Sequence, residues 1–183
     1  MSKLNVNLVL GDGAVQPHRA TDGSAGYDLA CPGVYVIREG YQSVPLNFSM
    51  SFGDGWKAMV YGKSGNQCKG FKCDLHRFYT DGTDEVIKDV RIDAKVLTGT
   101  VDCDFRGVVG VLLFSTNRLL DVVPVPDGKM VSDWCLEIPA GAEIAQMEFE
   151  EYGVADIKVV DSLDDTERGS YGYGSGVKSK GKK

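Results

Sequence analysis

Residues 144–150 read IAQMEFE. In an extended chain Ala145, Met147 and Phe149 fall on one side, and Gln146, Glu148 and Glu150 on the other. That period of two marks a half-buried β-strand. Working outward, the same alternation recurs in LNVNLVL (4–10), where Leu4, Val6, Leu8 and Leu10 are separated by Asn5, Asn7 and Val9. VVGVLLF (108–114) is apolar on both faces and reads as a fully buried strand. Shorter runs, VYVI (34–37) and KAMVY (57–61), stand between turn signals at Gly11-Asp12-Gly13, Gly53-Asp54-Gly55 and Asp127-Gly128. Many short strands with frequent turns predict an all-β fold: a sandwich, jelly roll or barrel. One stretch resists this reading. DGTDEVIKDVRIDAK (81–95) fits a short helix capped near Thr83, or a strand with Val86, Val90 and Ile92 on one side. No internal repeat or linker divides the chain.

With 183 residues and 43% apolar content, the chain can bury a proper core, which argues against wholesale disorder. No apolar run is long enough to span a membrane. The start, MSKLNVNLVL, has neither the apolar stretch of a signal peptide nor the arginine-rich character of a transit peptide. An intracellular, cytoplasmic protein is expected, with a nuclear location open to it if the source is eukaryotic or viral. Cys31, Cys68, Cys73, Cys103 and Cys135 are odd in number and follow no disulfide spacing, so reduced thiols are expected. Cys68, Cys73 and His76 form a C-x4-C-x2-H cluster of the type that binds zinc, but no fourth ligand stands nearby, and ordinary thiols are the simpler reading. Net charge is −6, yet residues 168–183 hold five basic residues and no acid. The body is therefore strongly acidic, which excludes general nucleic-acid binding by it.

Five segments carry candidate chemistry. PHRATDGSAGYDLAC (17–31) packs small residues around Asp28 just before a strand. YGKSGN (61–66) places Lys63, Ser64 and Gly65 at a strand end. LTGTVDCDFRGVVGVLLF (97–114) combines a glycine-bounded turn, Asp102, Asp104, Phe105 and Arg106. PAGAEIAQMEF (139–149) carries Gln146. The chain ends TERGSYGYGSGVKSKGKK (166–183), where an arginine fork suits phosphate oxygens, glycines allow close backbone approach and a tyrosine can stack on a ring. Taken singly, each segment has a plain reading: a capped turn, a hairpin, a solvent face, a frayed end.

Together and in this order they resemble the five motifs of the trimeric dUTP pyrophosphatase (dUTPase) family. ATDGSAGYDL, GKSG, GTVDCDFRG, GAEIAQM and RGSYGYGSG match the first to the fifth, and the resemblance covers residues 17–176. It implies a distorted jelly-roll or β-barrel-like subunit spanning 1–165, and a homotrimer with active sites shared between subunits. It also implies a flexible arm, 166–183, that closes over a neighbouring site. The implied reaction is hydrolysis of dUTP to dUMP and pyrophosphate, which keeps uracil out of DNA and supplies dUMP for thymidylate synthesis. Mg2+ would be carried by the triphosphate, which suits a sequence without a dense carboxylate cluster.

The resemblance also implies roles. Asp102 would be the base that activates the attacking water. Phe105 would pack under the deoxyribose and exclude a 2′-hydroxyl. The backbone of residues 97–101, Gly99 and Val101 included, would pair with uracil. Lys63 falls within the phosphate-binding second motif. Ser64, Gly65 and Gln146 would hold the α- and β-phosphates, and Asp28 would stand near the metal through water. Arg168 would grip the γ-phosphate, Tyr173 would stack on uracil, and Gly174 and Ser175 would wrap the phosphates.

Some letters depart from the family pattern. Lys63 and Glu143 stand where arginine is usual, Phe105 replaces a tyrosine, and the threonine usual after Ser175 is missing. A lysine loses the planar fork, and Glu143 reverses a charge beside the phosphate-binding strand or breaks a structural ion pair. Two inserts, about 66–94 and 120–137, are expected as solvated loops. They would suit a viral or phage enzyme, and they motivate an alternative: a nucleotide-binding regulator that engages a protein partner through insert 66–94. A dCTP deaminase shares the fold, but the third motif presents Asp102, as in the hydrolase.

Overall fold

The computed structural model describes residues 4–166 and 168–170. Their elements run β1 (Val6–Leu10), β2 (Tyr27–Ala30), β3 (Tyr35–Ile37), β4 (Gly40–Pro45), β5 (Phe48–Phe52), β6 (Trp56–Gly62), α1 (Ser64–Lys69), β7 (Phe71–Tyr79), β8 (Asp84–Val96), β9 (Gly99–Val101), β10 (Gly110–Leu119), β11 (Val131–Ile138) and β12 (Glu143–Glu151). Three antiparallel sheets result: β1-β5, β3-β11-β7-β8-β10-β4 and β2-β12-β6-β9. All three feed one core, with Phe48 from the first, Leu75, Leu113 and Leu136 from the second, and Leu29, Val60 and Met147 from the third. This is the all-β, distorted jelly roll expected from the strand periodicity and the motif order.

The stretch 144–150 behaves as its pattern dictates. Ala145 and Met147 are buried, and Phe149 sits edge-on between Tyr27 and Phe52, with ring centroids 5.9 and 5.4 Å away. Ile144 is buried as well, because the register of β12 against β2 shifts between Glu143 and Ala145 and lets adjacent residues both turn inward. Each predicted turn closes on a glycine in the left-handed region: Gly13, Gly55 and Gly128. The reading of 108–114 as buried on both faces needs correction. Val109, Val111 and Leu113 point into the core, but Val108 and Leu112 remain 53% and 45% exposed.

The first insert also differs from expectation, and the second differs in part. The first is mainly two strands, β7 and β8, inside the six-stranded sheet; in the second, 120–130 is the strandless and mostly exposed loop expected, and only 131–137 joins the sheet, as part of β11. Phe71, Cys73, Leu75, Val90, Ile92, Leu136 and Ile138 are all buried. The ambiguous segment is a strand, not a helix, but Val86 does not share a face with Val90 and Ile92. Lys88 and Asp89 on β8 oppose the single Asp74 on β7, and Asp89 takes φ 63°. This bulge switches the alternation, leaving Val86 exposed. The buried Asp74 carboxylate clamps it, accepting hydrogen bonds from Lys88 Nζ (2.6 Å) and the Asp89 amide (3.2 Å). Arg77 then ties the second insert to the first, donating to the Val123 and Pro124 carbonyls at 2.6 and 2.8 Å.

The chain divides into two units, Met1–Gly153 and Val154–Lys183. In the second, 154–166 carries no strand and a turn links the Gly169 amide to Thr166. Tyr173, Gly174 and Ser175 lie outside the described residues. No helix among the described residues is long and apolar enough to cross a membrane.

Candidate active site

β9 is the edge strand of its sheet. One side of its backbone pairs with β6, matching Gly99 to Val60 and Val101 to Ala58, and the other side has no neighbouring strand among the described residues. Such an edge presents fixed N–H and C=O groups to whatever lies beside it. The chain then turns at once: the Phe105 amide bonds the Asp102 carbonyl at 3.1 Å. Arg106 staples this turn through the carbonyls of Cys103 (2.6 Å) and Phe105 (2.9 Å). The Phe105 ring lies against Gly107, where a Cβ would meet it at 2.5 Å, so only glycine fits beneath the ring in this pose. Gly110 is similarly confined, its hypothetical Cβ 2.7 Å from the Ser43 hydroxyl.

These constraints shape a recess of about 250 Å³. Gly99, Val101, Asp102 and Phe105 all line it, so four residues singled out from the sequence meet in one place. Val60, Val108 and Leu112 supply apolar walls. Ser43 and Val60 carry no motif letter and were not legible as site residues. Apolar walls, a backbone edge and one exposed carboxylate suit a planar ring read by main-chain hydrogen bonds, with a reacting group outside its mouth.

A second group forms where β2, β6 and β12 adjoin. Gln146 is the register partner of Asp28 on one side and Tyr61 on the other. Lys63 Nζ donates to Asp28 Oδ1 at 2.8 Å and also to Glu143, whose other oxygen is 3.4 Å from His18 Nε2. Burial opposes the ammonium charge, but Asp28 and Glu143 outweigh it and hold the Lys63 pKa above the ordinary lysine value. Glu143 therefore does not break an ion pair; it forms one. Ser64 and Gly65 open α1, whose first turn contains no acidic residue and whose cap makes no side-chain hydrogen bond. First-turn amides of a helix lack intrahelical partners and accept anions.

The C-x4-C-x2-H residues do not assemble into a cluster, in keeping with the simpler reading of ordinary thiols. Cys68 is exposed on α1, Cys73 is buried in the core, and His76 stands on the opposite face of β7. Burial, reinforced by the charges of Asp74 and Asp121, pushes the Cys73 thiol up to about 12. Burial likewise raises Cys31. Iodoacetamide is therefore expected to label Cys68 first and to spare Cys31 and Cys73 until the protein unfolds; mass mapping of the labelled peptides checks this.

A jelly roll that pairs a ring-sized recess with an anion-ready strand end defines a class of nucleotide-handling β proteins. The dUTPase family model matches residues 12–75. The chain is 31% identical over 163 residues to the deoxyuridine 5′-triphosphate nucleotidohydrolase of Avian adenovirus 8, covering 88% of this chain and 77% of that one. It is 30% identical over 167 residues to the Mus musculus protein of the same name, covering 91% and 80%. Among solved structures, the Staphylococcus bacteriophage 80alpha dUTPase with dUpNHpp superposes with a TM-score of 0.67 at 17% identity, covering 93% of this chain and 97% of that one. A mutant dUTPase from phage phi11 of S. aureus, described with a structural Mg(II) ion, gives 0.61 at 17% identity, covering 90% and 100%. The chain belongs to the dUTPase family.

Proposed function

We propose that this protein is a dUTP diphosphatase that hydrolyses dUTP to dUMP and pyrophosphate. The observation that carries this is the meeting of Gly99, Val101, Asp102 and Phe105 in one recess beside a free strand edge. Uracil lies along β9, whose fixed N–H and C=O groups reject cytosine because its pattern at position 4 is reversed. The Phe105 ring packs under the deoxyribose. Asp102 orients a water and takes its proton as the water oxygen attacks the α-phosphorus. The bond from that phosphorus to the α–β bridging oxygen breaks, and pyrophosphate leaves with the electron pair.

The phosphates lie against Ser64, Gly65 and Gln146, with Mg2+ arriving on the triphosphate. The residues present fit a metal carried in this way, since the Asp28 carboxylate is already paired to Lys63 and leaves little for a protein-held ion. Lys63 acts here through its charge, held in position by two carboxylates. Arg168 and the arm residues Tyr173, Gly174 and Ser175 complete the phosphate and ring contacts when the arm closes, which excludes water. A homotrimer with shared sites is part of the same reading. It is supported by the exposed apolar residues Leu97, Val108 and Leu112 at the recess, which a lone subunit leaves uncovered. An intracellular location follows from the substrate. The regulatory alternative is not favoured, because relatives 30–31% identical over most of the chain are named as deoxyuridine 5′-triphosphate nucleotidohydrolases.

Incubation with Mg2+ and equimolar dUTP, dCTP, dTTP and UTP tests the proposal. Only dUTP is expected to disappear, yielding dUMP and pyrophosphate; ammonia from dCTP, or no consumption at all, would overturn it. In the same assay Phe105→Ala is expected to lower the preference for dUTP over UTP by about 10- to 100-fold, since the ring that excludes the 2′-hydroxyl is gone.

A further inference from the structure

Three half-buried side chains on the outward face of the six-stranded sheet have no part in the nucleotide chemistry: His76 on β7, and Cys135 and Glu137 on β11. His76 and Cys135 are direct cross-strand partners. Glu137 follows Cys135 by two residues and so shares its face. A ring nitrogen, the thiol sulfur and a carboxylate oxygen all lie within 4.8 Å of one another, and Cys135 Sγ is 3.6 Å from Glu137 Oε1. A tetrahedral zinc with Zn–S near 2.3 Å and Zn–N or Zn–O near 2.1 Å has ligand–ligand edges of roughly 3.3–3.7 Å. One edge already has that length, and the other two are no longer than 4.8 Å.

The surroundings support a ligand role for His76. Its Nε2 lies 2.8 Å from Asp84 Oδ2, which comes from the other strand of the hairpin. A carboxylate on one ring nitrogen fixes the tautomer and leaves the lone pair of the other nitrogen free, the arrangement found behind zinc-bound histidines. Thiolate, imidazole and carboxylate together carry two negative charges, matching a divalent ion. The soft sulfur selects zinc over magnesium.

We propose that His76, Cys135 and Glu137 bind a zinc ion on the outward face of this sheet, with its fourth position open to water. The ion joins the first insert to the second, and it is distinct from the Mg2+ that travels with the triphosphate. The C-x4-C-x2-H spacing thus pointed to the right histidine but the wrong partners: Cys73 turns inward, and the ligating thiol comes from a strand about sixty residues away, beyond the reach of any local motif.

The test uses the full chain, stripped with EDTA and titrated with Co2+. One equivalent is expected to give a thiolate-to-cobalt charge-transfer band and the visible bands of a four-coordinate ion, both bleached by Zn2+. Cys135→Ser and His76→Ala should lose these bands, Cys68→Ser should keep them, and Asp84→Asn should weaken Zn2+ binding about 10- to 100-fold. Zn2+ should raise the melting temperature of the wild type but not of Cys135→Ser, while dUTP turnover of that variant, unchanged, shows that it is folded. Absence of the thiolate band, its survival in Cys135→Ser, or its loss in Cys68→Ser would overturn the proposal.

Discussion

Asp102→Asn is expected to lower dUTP turnover by about 10²- to 10⁴-fold while leaving nucleotide binding close to wild type. The two side chains share size and shape, so the turn held by the Phe105 amide and by Arg106 should persist. What is lost is the ability to take a proton from water. Asp102 is exposed at the rim of the recess, where a water can reach it, and the recess walls are supplied by other residues. Single-turnover kinetics and calorimetric titration with a non-hydrolysable dUTP analogue separate the two effects. Undiminished turnover would assign the base elsewhere; loss of binding would make Asp102 a part of the recess rather than its chemistry.

Phe71→Ala is expected to destabilise the protein by about 3–5 kcal/mol. Phe71 opens β7, is 1% exposed, and pairs in register with the fully buried Ile92. Removing its ring leaves a cavity between strands that the surrounding sheet cannot close. That loss is a large part of the roughly 5–15 kcal/mol that holds most domains folded. Phe78 lies on the same strand but is 37% exposed, so Phe78→Ala should cost much less. Urea unfolding of both variants measures the contrast. Equal, small effects of about 0.5 kcal/mol would mean that the insert is the solvated loop first expected.

The strands with clean alternation, β1 and β12, were legible in the sequence, as were all three glycine turns. So were the recess residues, because strand β9 and the turn after it bring Gly99, Val101, Asp102 and Phe105 together from one contiguous stretch. The first insert was not. Its apolar residues are interleaved with Asp and Lys, and the bulge at Asp89 breaks the period that would have identified it as a strand. A two-against-one mismatch is a property of the pair of strands, not of either alone. The exposed side of 108–114 was hidden for a different reason. Val108 and Leu112 are apolar, and composition alone does not distinguish a residue covered by its own chain from one left bare. The His76–Cys135 pairing is set by β-sheet register across the two inserts, which no local spacing encodes.

Lys63 and Glu143 come from distant motifs yet share one ion pair, with Asp28 and His18 on its flanks. Two letters that stand far apart in the sequence thus act as one electrostatic unit. Placing arginine at 143 alone would set a second cation against Lys63 and remove one of the two carboxylates that hold it. Exchanging either residue alone strips the other of a partner, so the two positions respond to substitution together rather than independently.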